Sequence, residues 1–156
     1  PRPAVAHGRV YLSTGWNRAR LLAVRLDPEA KGDITKTHVD WECRDNVPCM
    51  SSILILGDTI FMVDDNGWAV LLNATDGTRF WKKRLVPLVA AAPVAAGKRV
   101  YVFGQKGQCA VLEPDRKGAH VIAKNQLAPG CMASPAVIDG TLVVRTRTHL
   151  CRIGDK

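Results

Sequence analysis

Residues 73–81 read NATDGTRFW: a run of turn-forming side chains ending in Gly77, followed by a tryptophan four residues later. Asn and Asp favour tight turns because their side chains bond the backbone a residue or two ahead, and glycine adopts positive φ without steric cost. The flanks are WAVLL (68–72) and RFWKKR (79–84), short and rich in apolar, β-branched or aromatic residues. The stretch therefore predicts a strand–turn–strand unit in which the turn containing Asp76 and Gly77 sets Trp81 at a fixed register on the second strand. At that register the flat ring packs between neighbouring units.

The unit recurs. PAVAHGRVY (3–11), ILILGDTIF (53–61), PVAAGKRVY (93–101) and PAVIDGTLV (135–143) align over nine residues, each with a glycine near its middle. Their starts lie 50, 40 and 42 residues apart, the period of β-propeller blades and not of a helical repeat. After each nine-mer comes a turn, then an apolar strand (LLAVRL, WAVLL, CAVLE), a second turn and a fourth strand (HVDWECR, RFWKKR, HVIAKN). Trp41, Trp81 and Ala123 each stand twelve residues before the next nine-mer. Pro3, Pro93 and Pro135 open strands, where a missing N–H does least harm.

The expected fold is all-β, with blades of four-stranded antiparallel meanders. One segment, 1–156, holds about three and a half to four blades, a half propeller, with blades at about 1–49, 50–88, 89–131 and 132–156 and the last incomplete. No stretch carries a helical period with caps.

Composition narrows the function. At 47% hydrophobic and 23% charged the chain reads as a folded soluble domain. Its apolar runs, such as 85–96, are broken by proline and too short to span a bilayer. The net charge of +8 is dispersed, with small clusters at Lys82-Lys83-Arg84 and at Arg145, Arg147 and Arg152. A nucleic-acid site would interleave aromatic rings with such charges, so nucleic acid is not the expected partner. Five cysteines and four isolated histidines show no zinc spacing, and no nucleophile elbow, Walker loop or dinucleotide fingerprint is present. Asp64-Asp65 in VDDNG lacks the later glutamate of a calcium loop and reads as a polar turn. Neither catalytic nor metal-ligating residues are assigned, and no cofactor is expected.

LNATDGTRFW is similar to the tryptophan-docking motif of the pyrroloquinoline-quinone-type, or quinoprotein-like, β-propeller repeat. Leu72, Ala74, Gly77 and Trp81 match that motif, while Asn73 and Asp76 stand where Asp and Thr are usual. Residues 130–153 look like a final blade in this superfamily, so the chain resembles the C-terminal half of a bacterial propeller related to the outer-membrane barrel-assembly lipoprotein. The resemblance implies structural docking roles for Trp41, Trp81, Gly77, Ala74 and Leu72, and a periplasmic or extracellular location, which the odd cysteine count fits poorly. It divides function between binding scaffolds and quinone-dependent dehydrogenases. The dehydrogenases carry an adjacent cysteine pair that this sequence lacks.

A non-enzymatic binding or scaffold segment is therefore the leading expectation. The alternatives are a fragment of a quinone-dependent dehydrogenase and a basic polyanion-binding module. The contact surface is expected on loops of one face: Trp16, Asn17 and Arg18; Asp64, Asp65, Asn66 and Trp68; Gln105 and Lys106. Half a ring leaves two blade faces bare, so two copies are expected to associate head to tail into an eight-blade-like ring. Missing blades of a longer chain, a separate protein partner, or a small closed ring of four blades are the other possibilities.

Overall fold

The computed structural model describes residues 1–154, which form four antiparallel sheets and one helical turn. Blade 1 comprises β1 (Ala4–Ala6), β2 (Arg9–Ser13), β3 (Leu21–Arg25) and β4 (Val39–Cys43), with α1 (Thr35–His38) in the β3–β4 connection. Blade 2 comprises β5 (Leu54–Leu56), β6 (Thr59–Val63), β7 (Trp68–Asn73) and β8 (Arg79–Arg84). Blade 3 comprises β9 (Val94–Ala96), β10 (Arg99–Phe103), β11 (Gln108–Leu112) and β12 (Val121–Gln126). Blade 4 comprises β13 (Ala136–Ile138), β14 (Thr141–Arg145) and β15 (Leu150–Ile153). In every sheet the strands pair in chain order. The fold is thus an all-β arc of three four-stranded propeller blades and a three-stranded fourth. The short α1 has no apolar period that would have announced it.

Each sheet is a plate with two faces, and alternate side chains fill the seams between plates. Between blades 1 and 2 lie Tyr11, Leu21 and Ala23 against Ile60, Met62, Val70 and Leu72. Between blades 2 and 3 lie Phe61, Val63 and Leu71 against Val100, Val102, Ala110 and Leu112. Phe103, Cys109 and Val111 meet Leu142 and Val144 of blade 4. Blade 2 is covered on both sides, and all five residues of β6 are buried. That is why TIFMV reads as a continuous apolar run and not an alternating one.

The seams are also stitched by backbone. Turns between second and third strands sit under the connectors that leave the same sheet. Leu85 N–H donates to Gly67 O at 3.0 Å, and Leu127 N–H donates to Gly107 O at 2.7 Å. A Cβ on Gly107 would stand 1.8 Å from Leu127 O, so only glycine permits this approach. At the inner ends Arg2 N–H donates to Ser52 Oγ at 2.8 Å, and Ala92 N–H donates to Ser134 Oγ at 2.9 Å. These residues border a cavity of about 400 Å³ among the inner strands. No helix among the described residues is long and apolar enough to cross a membrane.

Candidate docking site

Two tryptophan docks are filled. Trp41, on β4, reaches forward into blade 2, where its Nε1–H donates to Ala74 O at 3.2 Å. Tyr11 Oη donates to the same oxygen at 3.0 Å, with its ring centroid 5.9 Å from that of Trp41. The indole lies flat over Gly77: a Cβ there would come within 2.7 Å of Trp41 Cε3, and φ is +74°. Asn73 Oδ1 accepts from Thr75 N–H and Asp76 Oδ1 from Thr78 N–H, so these two side chains brace the turn. The bond from Thr78 N–H holds the Asp76 carboxyl below its ordinary value. Trp81 repeats the pattern one blade on, its Nε1–H donating to Asp115 O at 2.6 Å while its ring meets Phe61 edge-on. Gly77 therefore receives the tryptophan of the preceding blade, Trp41, while Trp81 of its own hairpin travels on to the next blade. The fixed spacing within one hairpin reflects this chain of hand-offs. Leu72 is buried in the seam below Trp41.

A β-bulge makes the hand-off possible. Pairing shifts by one residue between Ala23 and Val24, between Leu71 and Leu72, and between Val111 and Leu112. Each shift lies next to the residue opposite Trp41, Trp81 or Ala123, and bulges re-aim the side chains beside them. Ala123 faces Val111 as Trp41 faces Ala23, so the seam between blades 3 and 4 has alanine where the others have indole.

Blade 1 holds the counterpart of the Ala74 position, with no indole over it among the described residues. Leu26 N–H bonds Gly8 O as Ala74 N–H bonds Asp58 O, so Leu26 occupies the position of Ala74. Leu26 is 51% exposed. Beside it, Val5 opposes Val10, Val10 opposes Val24 and Leu12 opposes Leu22. These are the counterparts of Ile55, Ile60, Met62, Val70 and Leu72, the face that blade 2 buries against blade 1. Among the described residues no sheet covers this row in blade 1, and Val5 is 68% exposed. A cleft of about 530 Å³ opens at its outer side, lined by Asn17, Arg18, Arg20, Leu22 and Glu42 among others. Trp16 projects from the same loop, 86% exposed.

The other candidate contact residues fare differently. Asp64 is 8% exposed, which corrects its expected place on a contact surface. Its Oδ1 accepts from Asn66 N–H and Trp68 N–H, and its Oδ2 from Asn46 Nδ2. Asp65 Oδ1 accepts from Cys49 N–H and Met50 N–H, both at 3.2 Å, so it too holds a connector. Trp68 begins β7, half-buried, with Lys82 Nζ 4.6 Å from its ring centroid. Gln105 is half-buried and its N–H donates to Leu88 O. Asn66 and Lys106 are exposed. A polar turn pattern marks loops that serve the seams as readily as loops that face a partner, and the sequence does not separate the two. Trp16, Asn17 and Arg18 are the candidates that line an open face.

The far end contrasts. On blade 4, Arg145 opposes Leu150 and Val143 opposes Arg152, where blades 2 and 3 bury apolar pairs. The inner cavity is bordered by Arg2, Ser52, Ala92 and Ser134 with no carboxylate among its lining residues. Among the described residues no three His, Cys, Asp or Glu side chains cluster as metal ligands. Those donors do not fit a calcium-bound quinone. All five cysteines are free thiols, and burial beside Cys131 raises Cys109 to about 11.

Residues 41–148 match the family described as outer membrane protein assembly factor BamB, of the quinoprotein-type repeat. The chain belongs to this family. Among solved structures, BamB from Moraxella catarrhalis superposes with a TM-score of 0.70 at 18% identity, covering 94% of this chain and 43% of that one. A europium-containing methanol dehydrogenase superposes at 0.60 and 16% identity, covering 80% of this chain and 24% of that one. At these identities the two structures share a fold with the chain, which spans under half the length of either. None of the curated proteins compared matches the sequence.

Proposed function

We propose that this chain is a non-catalytic, protein-binding propeller arc that docks through the open face of blade 1. The observation that carries this reading is the uncovered Leu26, the counterpart of Ala74, beside the apolar row Val5, Val10, Leu12, Leu22 and Val24. In blades 2 and 3 the same row is covered by protein, whereas here Val5 is exposed and Val10, Leu12, Leu22 and Val24 are half-buried, and a contiguous apolar face left open to solvent marks an interaction surface. Membership of a family named for an outer membrane protein assembly factor supports a binding role at the cell envelope, outside the cytoplasm. The fragment-of-a-dehydrogenase reading gains nothing from the inner cavity, whose lining lacks the carboxylates a calcium-bound quinone needs.

For the chain by itself, the partner is a second copy. Head-to-tail closure would set Arg145 and Arg152 against Val10, Leu12 and Leu22, desolvating two guanidinium groups without partners. Joining two blade 1 faces buries apolar rows on both sides, as a two-fold interface requires. In a longer chain, preceding blades would take the same face. Light scattering behind size exclusion over a concentration series tests the reading. A dimer is expected, and a monomer at every concentration overturns self-association through this face.

A further inference from the structure

We propose that the rim of the arc built from the blade connectors docks on an anionic lipid surface. The connectors, residues 44–53, 85–93 and 127–135, and the turns 64–67 and 104–107 are bonded into one continuous rim. Met50 N–H donates to Asp65 Oδ1 at 3.2 Å, Val89 N–H to Asp65 O at 2.9 Å and Gln105 N–H to Leu88 O at 2.7 Å. Each connector leaves one large apolar side chain exposed on this rim: Met50 and Leu88, each 43% exposed, and Met132, 57% exposed. Met50 and Met132 hold equivalent places, in Cys-Met-Ser-Ser (49–52) and Cys-Met-Ala-Ser (131–134). In both, the cysteine packs into a seam and the methionine stays in solvent. Leu88 has φ +52°, a left-handed conformation that costs a leucine strain. A strained backbone that holds a leucine in water points to a contact outside the chain.

The charge on the same rim selects anions. Among the described residues its carboxylates are Glu42, Asp45, Asp64 and Asp65, and each is engaged within the chain. Glu42 pairs with Arg20 and Arg44, and Asp45 pairs with Arg79. Asp64 and Asp65 accept from N–H groups of the turn and the connector. Lys83 and Arg84, opposite Ala69 and Trp68 at the start of β7, are exposed, as is Lys106 in the next turn. Among the described residues no carboxylate pairs with Lys83, Arg84 or Lys106. Apolar side chains standing one per connector do not make the contiguous apolar core of a protein interface. A fluid layer of anionic headgroups accepts separate apolar tips and basic side chains together. The tips enter the boundary between headgroups and acyl chains, and the ammonium and guanidinium groups stay at the phosphates. These apolar and basic residues all lie within 50–132, inside the arc, and none belongs to the blade 1 docking face.

The test is co-sedimentation of the whole chain with vesicles of phosphatidylcholine alone and of phosphatidylcholine mixed with phosphatidylglycerol. Partitioning onto the anionic vesicles is expected, falling as salt rises, with little onto the neutral ones. Lys83→Gln/Arg84→Gln should lower it about tenfold, the scale of two basic groups at an anionic surface. Leu88→Asn should lower it about threefold while keeping the fold, because asparagine tolerates positive φ better than leucine does. Amide hydrogen exchange on the vesicles should show new protection in the connectors and in turns 64–67 and 104–107. Equal partitioning onto both vesicles, none onto either, or partitioning unchanged in either variant overturns the proposal. So does binding of soluble polyglutamate by a chain that leaves anionic vesicles unbound, which would mark an acidic protein as the partner. Release from the vesicles by inorganic phosphate at matched ionic strength overturns it too, since a small-anion site would then account for the binding.

Discussion

Blades 1 and 4 come from one repeat, and each presents a sheet face that no other blade covers among the described residues. Blade 1 presents Val10, Leu12, Leu22 and Val24, the residue types that fill the seams elsewhere. Blade 4 presents Arg145, Leu150 and Arg152 in the register where blades 2 and 3 bury Val63, Ala69, Leu71, Phe103, Cys109 and Val111. The first three strands of both blades pair in the same register, so on those strands the difference lies in the side chains. Blade 1 therefore presents a face like those buried in the seams, and blade 4 does not. The arc is thus directional: one end is built like a seam, the other like a surface.

The largest effect should separate a covered indole from an open one. Trp41→Ala removes the ring, its bond to Ala74 O and its cover over Gly77, and should cost about 3 kcal/mol, at the low end for large aromatics because the ring is half-buried. Trp16→Ala, at an 86% exposed ring, should change stability by less than about 0.5 kcal/mol yet weaken self-association. Urea unfolding of both variants checks the pair; equal losses would erase the distinction between a covered indole and an open one.

A smaller contrast isolates the dock itself. Gly77→Ala and Gly32→Ala both force alanine into positive φ, a strain of about 1–2 kcal/mol. Only at Gly77 does the new Cβ also meet an indole, at 2.7 Å. Gly77→Ala should therefore be the more destabilising by about 1 kcal/mol or more, the excess measuring displacement of Trp41.

The smallest effect is electrostatic. Asp76 has its carboxyl lowered from 3.8, first by the bond from Thr78 N–H. A carboxyl depressed by folding adds stability above its unfolded value and loses that contribution as pH falls through its folded value. Acid should therefore weaken the filled dock below about pH 4. Asp76→Asn keeps an acceptor for Thr78 N–H without the charge, and its urea midpoint should fall less steeply with acid than that of the parent. Identical slopes would show that this turn does not contribute to acid sensitivity.

Much of this fold was legible because repetition and turn chemistry are local. Four nine-mers, their glycines and the twelve-residue offset of Trp41 and Trp81 predict the strands and their order. What was not legible is which turn receives which tryptophan. Gly77 and Trp81 are neighbours in sequence, but the ring over Gly77 belongs to Trp41, brought there by packing between blades. α1 escaped notice because four residues carry no period. Asp64 looked like a surface residue since a buried, fully bonded turn carboxylate and a solvated one have the same sequence. The open face of blade 1 was not legible either: Leu26 is an ordinary strand-end residue until its surroundings are compared with those of Ala74.

The most direct measurement is the solution mass of three proteins over one concentration series: the parent chain, Leu12→Thr/Leu22→Thr, and Arg145→Thr. Threonine suits a strand, so the double variant should keep its fold. The account predicts a dimer for the parent and for Arg145→Thr, and a monomer for Leu12→Thr/Leu22→Thr. A dimer that survives in the double variant and is lost in Arg145→Thr would contradict it, because the arginine end would then be the docking end.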